Sequence, residues 1–531
     1  MRMTGSQRGM TAAQAWVLAL TSVSSLMVAL DALVVTTALP AIRVQLHASL
    51  AELEWTVNAY VLSLAVLLMT GAALGDRFGR RRMFAAGMGL FTAASAACAL
   101  APGIGWLIAA RAVQGAGAAV MLPVGLALLS AGFPPERRAW ALGIFGAVTG
   151  LGVVLGPLVG GAAVQGLSWP WIFWINVPIG LITSALTRAR VAESWGPDAA
   201  LDLPGLVLVT GGAFGLVWAL VRGNTVGWGS AEVVTALAGG AALGAAFIAL
   251  ELRVRSPMLP MRLFRSRPFA AGNAAIFLLW GSALGAVFFL AQFLQIGLHY
   301  SPLAAGVRLM PWGAAVFAAA PVAGARIRRS GERPFLAGGL LLVAAGATWL
   351  ALAARPGLAY WQLMVPLVLT GLGFSAAIPA AQSSVLSHVA PQYIGKASGT
   401  FTMLRQLGGA FGVALAVAVF AGQGSYASAQ AFSDGFGPAL GICAALALAG
   451  SVAGLLAPGR PATSQPTAAT VSTVPRKQAG ADAPGPCDPA RDPEQRSGRA
   501  VELRRRDSPR APKLAAAEGG GAETQPGGGS K

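Results

Sequence analysis

The chain has 531 residues, is 55% hydrophobic and 11% charged, and has a mean hydropathy of +0.64. Soluble globular chains carry about 25% charged residues, so this composition excludes a soluble enzyme or binding module and indicates a polytopic membrane protein. The net charge of +18 does not point to nucleic acid, because 12 of the 38 Lys and Arg and 8 of the 20 acids follow residue 457, and the remaining +14 is spread over short loops.

Residues 16–40, WVLALTSVSSLMVALDALVVTTALP, open the membrane part. Arg2 and Arg8 before this run imitate a signal peptide, but the run is too long and no clean small-residue cleavage site follows. It reads as a first retained span, long enough to cross a bilayer as a helix. Asp31 sits just past its middle. An ionised Asp at the bilayer centre costs about 2.5–3.5 kcal/mol, so Asp31 must face protein or water.

Apolar stretches then recur at about 14–39, 55–75, 83–101, 106–131, 139–166, 171–188, 203–222 and 231–251. Six more follow at 268–298, 303–325, 334–354, 360–386, 397–421 and 436–457, which makes fourteen spans. With the N-terminus inside, the inner segments before the tail hold 20 Lys and Arg, whereas the outer loops hold only Arg43, Arg222 and Arg355. This positive-inside pattern predicts a plasma- or inner-membrane protein with both termini cytoplasmic. The expected organisation is a cytoplasmic N-terminus (1–13), a six-helix half (14–190), two inserted helices (203–251), a second six-helix half (268–457) and a cytoplasmic tail (458–531). The tail is rich in Pro, Gly, Ala and Ser and is expected to be disordered. Arg504–Arg506 in it are read as a solvated charge run, with contact to anionic headgroups as the alternative. Cys98, Cys443 and Cys487 show no disulfide or metal spacing.

The loop GAALGDRFGRRRMF (71–84) has a basic counterpart at 324–339, GARIRRSGERPFLAGG, with Gly79 aligned on Gly331. Such duplication of a half marks a class of secondary transporters with a site between the halves. Asp76, Arg77, Gly79, Arg80 and Arg81 place charges at two helix ends, where they pair with each other and with helix dipoles. They form either an inner-face latch or a topology anchor. In the fourth span, LIAARAVQGAGAAV (107–120), Arg111 lies well inside, with Gln114 and Gly115 on the same helical face. A buried guanidinium needs a partner. In the fifth, GLGVVLGPLVGG (150–161), Gly152, Gly156 and Gly160 repeat every four residues and permit close helix approach. Pro157 and Gly161 complete a GP-x-x-GG core.

GAALGDRFGRRR resembles the signature loop of the major facilitator superfamily, with Ala72 in place of the usual first Gly. The fourth-span stretch is similar to the motif whose Arg is implicated in proton coupling, and GLGVVLGPLVGG resembles the fifth-helix motif that marks antiporters. SWPWIFWINVPIG (168–180) and DALVVTTALP (31–40) are similar to motifs of the fourteen-span drug:proton antiporters, with Pro170 where an Arg is usual. The stretches at 262–270, 289–311, 368–391 and 395–414 agree, so the resemblance covers about residues 14–457.

The resemblance implies an all-α membrane protein of major facilitator fold, with two six-helix halves plus two extra helices. It also implies a proton-coupled exporter of hydrophobic or cationic small molecules such as drugs or antibiotics, working by alternating access as a monomer. The proton gradient would be the energy source, with no cofactor or metal. No G-x-x-x-x-G-K-[ST] loop supports nucleotide-driven transport.

Burial penalises a carboxylate's charge and a nearby guanidinium favours it, so Asp31 suits proton loading where Arg111 lies close to it, a meeting that sequence alone does not show. The competing reading makes Asp31 a permanently protonated packing group and Arg111 a structural hub. Asp31 is also read as the only acid deep within a span before the tail. Cavity candidates are Met27, Asn58, Gln114, Trp280, Phe288, Gln292, Gln295, Trp312 and Phe374. Uptake of a polar nutrient is a second possibility, disfavoured by the 150–161 motif. A membrane enzyme is a third, and His47, His299 and His388, in different loops, form no cluster for it. A non-transporting sensor or scaffold is the fourth.

Overall fold

The structure is a computed structural model that describes residues 10–196, 202–254, 257–259, 261–387, 389–390 and 393–457. The tail from Pro458, with Cys487 and Arg504–Arg506, lies outside the described residues, as do residues 1–9 and His388.

The first half comprises α1 (Ala12–Leu46), α2 (Leu50–Phe78), α3 (Arg80–Ala99), α4 (Ile104–Gly132), α5 (Pro135–Gly166), the one-turn α6 (Trp171–Trp174) and α7 (Asn176–Arg190). Two further helices follow, α8 (Leu203–Val226) and α9 (Ala231–Arg253). The second half comprises α10 (Arg267–Ile296), the short α11 (Pro302–Arg308), α12 (Met310–Ser330), α13 (Arg333–Ala353), α14 (Trp361–Leu386), α15 (Ile394–Gln423) and α16 (Ala429–Gly454). Helices fit a membrane because they satisfy every backbone group internally. Counting α6–α7 and α11–α12 as single spans, thirteen described stretches are long and apolar enough to cross a bilayer. The fourteenth is α3, whose first turn, Arg80–Arg82, dilutes its apolar character.

Several helices overrun the apolar stretches that announce them, for local reasons. Ser49 caps α2 through a capping box with Glu52, so that helix begins before the apolar run at residue 55. Ser428 accepts from the Ala431 N–H and starts α16 seven residues ahead of 436. Pro40 does not end α1, which continues to Leu46. Close by, the Thr37 carbonyl receives Gln295 from α10 at 3.0 Å, the kind of neighbouring support that lets a membrane helix carry proline.

Within the first half, α1 packs on α5, and α4 on both α2 and α3; within the second, α10 packs on α15 and α16, and α13 on α14 and α16. The halves meet along α2 with α15 and along α5 with α11. The two extra helices pack on each other, and α8 leans on this junction through α2 and α15. Without a hydrophobic drive between helices in lipid, such packing depends on small residues at the contacts. A Cβ on Gly281 would come within 2.9 Å of the Gly408 carbonyl oxygen, and one on Gly412 would collide with the Gly281 backbone. Gly412→Val should therefore force α10 and α15 apart and cost about 1–3 kcal/mol or more. Thermal unfolding of the purified protein in detergent should show a clearly lowered midpoint, and an unchanged midpoint would contradict this packing.

Candidate functional site

Asp31 has no exposure, and Arg111 is 1% exposed. Arg111 Nη1 donates to Asp31 Oδ2 at 2.5 Å. Gln114 Nε2 donates to Asp31 Oδ1 at 2.8 Å, and Asn176 Nδ2 donates to the same oxygen at 3.0 Å. Every partner of this carboxylate is therefore a donor, which is the pattern an ionised carboxylate accepts. Arg111 also donates to the Thr56 carbonyl at 3.2 Å and to Gln114 Oε1 at 2.7 Å, and it lies 4.1 Å over the Tyr60 ring. Gln114 donates in addition to Ser95 Oγ at 2.8 Å. Five helices, α1, α2, α3, α4 and α7, thus converge on one charge pair. Burying two ions is offset only when geometry is close and spare donors and acceptors are matched, and here they largely are.

Glycines make the convergence possible. Gly115 in α4 lies against the Tyr60 carbonyl, where a side chain would collide. Gly152, Gly156 and Gly160 line α5 against α1; a Cβ on Gly152 would sit 2.8 Å from the Leu26 carbonyl oxygen, and one on Gly156 2.8 Å from Leu33 Cβ. The rest of this motif turns toward the other half: Gly161 abuts the Pro302 carbonyl, and the Pro157 carbonyl abuts Gly306.

The seam between α5 and α11–α12 changes along its length. A Cβ on Gly313 would meet Val154 at 2.6 Å, whereas one on Gly150 would meet only Phe317, at 3.9 Å. At Gly146 and Gly143 it would meet nothing within 4 Å. Along this seam the halves are therefore tightly apposed at one end and part toward the end that carries the basic loops, whereas on the α2–α15 seam Gly399 still lies against Met69. Further ties lie at the closed end. Arg43 lies 4.2 Å over the Tyr426 ring, Gln295 reaches Thr37, and Gln165 accepts from the Leu303 N–H at 3.2 Å. Burial holds the Tyr426 phenol well above its ordinary range despite the opposing pull of Arg43, so it stays a neutral donor, to Gln292 Oε1 at 2.5 Å.

At the open end, Asp76 accepts from Arg80 at 2.7 and 2.9 Å. Glu193, from the segment after α7, accepts the Arg81 N–H at 2.8 Å and stands 3.6 Å from the guanidinium groups of both Arg81 and Arg82. The Arg80 N–H donates to the Ser194 carbonyl at 2.8 Å. Gly79 has φ +99°, and its missing side chain leaves room for Glu193, whose carboxyl carbon would lie 2.9 Å from a Cβ there. Gly331, its counterpart in the second half, has φ +82°, a left-handed value that suits glycine. Arg77 lies 5.6 Å over the exposed Phe78 ring.

Several sequence expectations need correction. Asp31 remains the one acid deep within a span among the described residues, but Glu54, near the start of α2, is also fully buried, and Asn58, offered as a cavity residue, is buried with it and donates to it at 3.0 Å. Gln292 does not line a cavity but is fully buried between Tyr426 and the Phe288 carbonyl. Gln295 ties α10 to α1. Met27 and Phe288 are core. Trp312 and Phe374 do line a narrow apolar cleft between the halves, with Leu33, Pro157, Leu290 and Leu440. Gln114 belongs to the Asp31 network. Asn176, Ser95 and Glu193 were missed. Asn176 was legible as a polar residue inside the apolar WINVP run, whereas Ser95 and Glu193 carry no local signal.

A family model described as Major Facilitator Superfamily matches residues 21–413. The chain belongs to the major facilitator superfamily. Among its superfamily relatives, the tetracenomycin C resistance and export protein of Streptomyces glaucescens is 36% identical over 397 residues, 74% of this chain and 73% of that protein. The probable actinorhodin transporter of Streptomyces coelicolor is 38% identical over 414 residues, covering 76% and 72%. The cephamycin export protein CmcT of Amycolatopsis lactamdurans is 36% identical over 477 residues, covering 88% and 96%. With fourteen candidate spans among the described residues, the chain fits the fourteen-span drug exporters of the superfamily. The fold is also similar to a crystal structure of a peptide transporter, POT, in complex with sulfate, with a TM-score of 0.60 and 17% identity over 83% of this chain and 95% of that one. As a superfamily member it is a multi-pass membrane transporter.

Because Glu193 holds the Gly79 loop through Arg81 and Arg82, Glu193→Ala should slow transport to the same degree as Arg81→Ala, and the double variant should be no worse than either. Initial export rates in vesicles would check this. Additive losses would show that the two residues act separately, and full activity of Arg80→Ala/Arg81→Ala would reduce the loop to a topology anchor.

Proposed function

We propose that this chain is a proton-coupled exporter of hydrophobic or cationic small molecules, drugs or antibiotics among them, that works by alternating access in the cell membrane. The observation that carries the reading is the wholly buried Asp31–Arg111 pair, seated on the helix whose opposite side lines the cleft. Leu33 is a cleft residue, and side chains two apart on an α-helix point roughly 200° apart, so Asp31 faces into the first half while Leu33 faces cargo. This supports Asp31 as the proton carrier rather than a direct cargo ligand. A proton on Oδ1 or Oδ2 would replace an accepted hydrogen bond and remove the charge that holds Arg111. Five helices would then have to repack, and a change of that kind couples protonation to the seam through the α1–α5 glycine contacts.

The relatives' names support export of antibiotics. The apposition of the halves at one end supports a carrier caught open toward its basic face, which the positive-inside pattern assigns to the cytoplasm together with both termini. The proton gradient would supply the energy, with no cofactor, and each chain would work as a monomer.

Everted vesicles with an acid interior test the coupling. Adding a compound to which overexpression gives resistance should dissipate the pH gradient with the native chain. It should have no effect with Asp31→Asn, while Asp31→Glu should retain part of the response. Because Asn leaves Arg111 unpaired, at a cost of about 3–5 kcal/mol, the amount of inserted protein is measured in parallel. Full coupling in Asp31→Asn would exclude Asp31 as the carrier.

A further inference from the structure

The two halves treat charge differently. In the first, the deep cation Arg111 has a carboxylate against it. In the second, Arg405 stands within α15, as its twelfth residue, and the half from residue 267 to residue 457 contains only two acids, Glu332 and Asp434. Neither pairs with it. Glu332 accepts from Ser383 at 2.9 Å, and Asp434 accepts from Gln430 at 2.7 Å. Among the described residues Arg405 makes no hydrogen bond or ion pair, and its Nε is buried without a partner. A guanidinium carries five donors and no acceptor, and an intramembrane charge is retained against a considerable cost. Something must answer this one.

Its partner among the described residues is an aromatic ring. The guanidinium lies 4.8 Å over the Trp280 ring. Trp280 packs on Phe374 with ring centroids 5.1 Å apart, and Phe374 on Trp312 at 5.6 Å. Phe374 and Trp312 line the cleft between the halves. A continuous shelf of rings thus leads from the cleft to an unanswered cation. A ring beneath a guanidinium contributes a cation–π attraction but leaves the N–H donors at its edge free. Those donors suit the two oxygens of a carboxylate or the oxygen of a phenolate, by the charge-assisted geometry that arginine provides.

We propose that Arg405 and the Trp280–Phe374–Trp312 shelf form an anion subsite of the cargo cleft, which takes aromatic or polycyclic molecules bearing an ionised carboxylate or phenolate. The cargo's ring stacks on the shelf and its acidic group pairs with Arg405. This subsite rests on the exporter reading and adds an acidic class to the hydrophobic and cationic cargo expected from sequence. Molecules that carry both an amine and an acid fit it as well. A neutral analogue offers the guanidinium no countercharge, and discrimination against it arises from the missing charge-assisted hydrogen bond.

Equilibrium binding to the full chain in lipid nanodiscs, with no pH gradient, tests it. The probes are radiolabelled 2-naphthoate, the neutral 2-naphthamide and a naphthylmethylammonium ion. The native protein should bind the carboxylate about tenfold or more tightly than the amide, the change expected for one charge-assisted hydrogen bond. Arg405→Gln should remove that preference and leave amide binding unchanged. Arg405→Lys should keep most of it, and Trp280→Ala should weaken both neutral and anionic probes. Unfolding midpoints confirm that the variants are folded.

The proposal is overturned if Arg405→Gln keeps the preference or if the ammonium probe binds best. It is also overturned if inorganic phosphate or phosphatidylglycerol, but not 2-naphthoate, competes at Arg405, which would give the cation to free anions or lipid headgroups. The Asp31→Asn vesicle assay separates the two readings. Coupled export without anion preference rejects only the subsite, and anion binding without coupled export rejects only the exporter.

Discussion

An ion pair sealed from water and lipid constrains everything packed around it. Neither Asp31 nor Arg111 is tolerable alone at membrane depth, and each still has hydrogen-bonding capacity to satisfy once the pair is made. Gln114 meets that demand from Arg111's own helix, and Asn176, Ser95 and the Thr56 carbonyl meet it from three others. The helices that carry them are drawn to one point, and glycines at 115, 152, 156 and 160 let the backbones come close enough. Neutralising the pair's carboxylate removes the reason for the arrangement. On the proposed reading a local proton is thereby linked to the position of whole helices, since a ligand shifts a conformational equilibrium only by its differential interaction with the two states.

The same glycine motif joins two mechanical roles on one helix. One face of α5 holds α1, and with it Asp31; the other holds α11 across the interface, through Gly161 and Pro157. Close packing there is rigid rather than graded, so a displacement of α1 is passed to the seam. The ends of the molecule are then stabilised by different physics. One end is held by interdigitated backbones and neutral or cation–π contacts such as Arg43 with Tyr426. The basic end is organised by salt bridges among Asp76, Arg80, Arg81, Arg82 and Glu193. Exposed or half-exposed ion pairs are individually weak, which would suit the inner-face latch expected from the sequence.

Charge is also divided unequally between the halves. The first half neutralises its buried cation internally and keeps it off the cleft. The second leaves Arg405 at the end of an aromatic shelf that reaches the cleft. In the proposed function this asymmetry separates the proton's place from the cargo's.

The amino-acid sequence by itself determined the membrane class, the span count, the basic loops and the identity of Asp31, Arg111 and Gln114 as special residues. These rest on local properties: apolar length, loop charge, and the rarity of charge inside a span. It also made the glycine repeat legible, because a period of four residues lies on one helical face. Only the tertiary structure decided which groups answer the charges. Asn176 is 145 residues from Asp31, and Glu193 is 112 from Arg81, and no local pattern pairs residues so far apart. The same is true of Gln292, whose burial under Tyr426 depends on a loop at the far end of the chain, and of Glu54, whose position near a helix end conceals complete burial. A polar residue in an apolar stretch announces that it needs a partner. Whether that partner is a side chain, a backbone carbonyl or a cargo molecule depends on which helices are packed beside it.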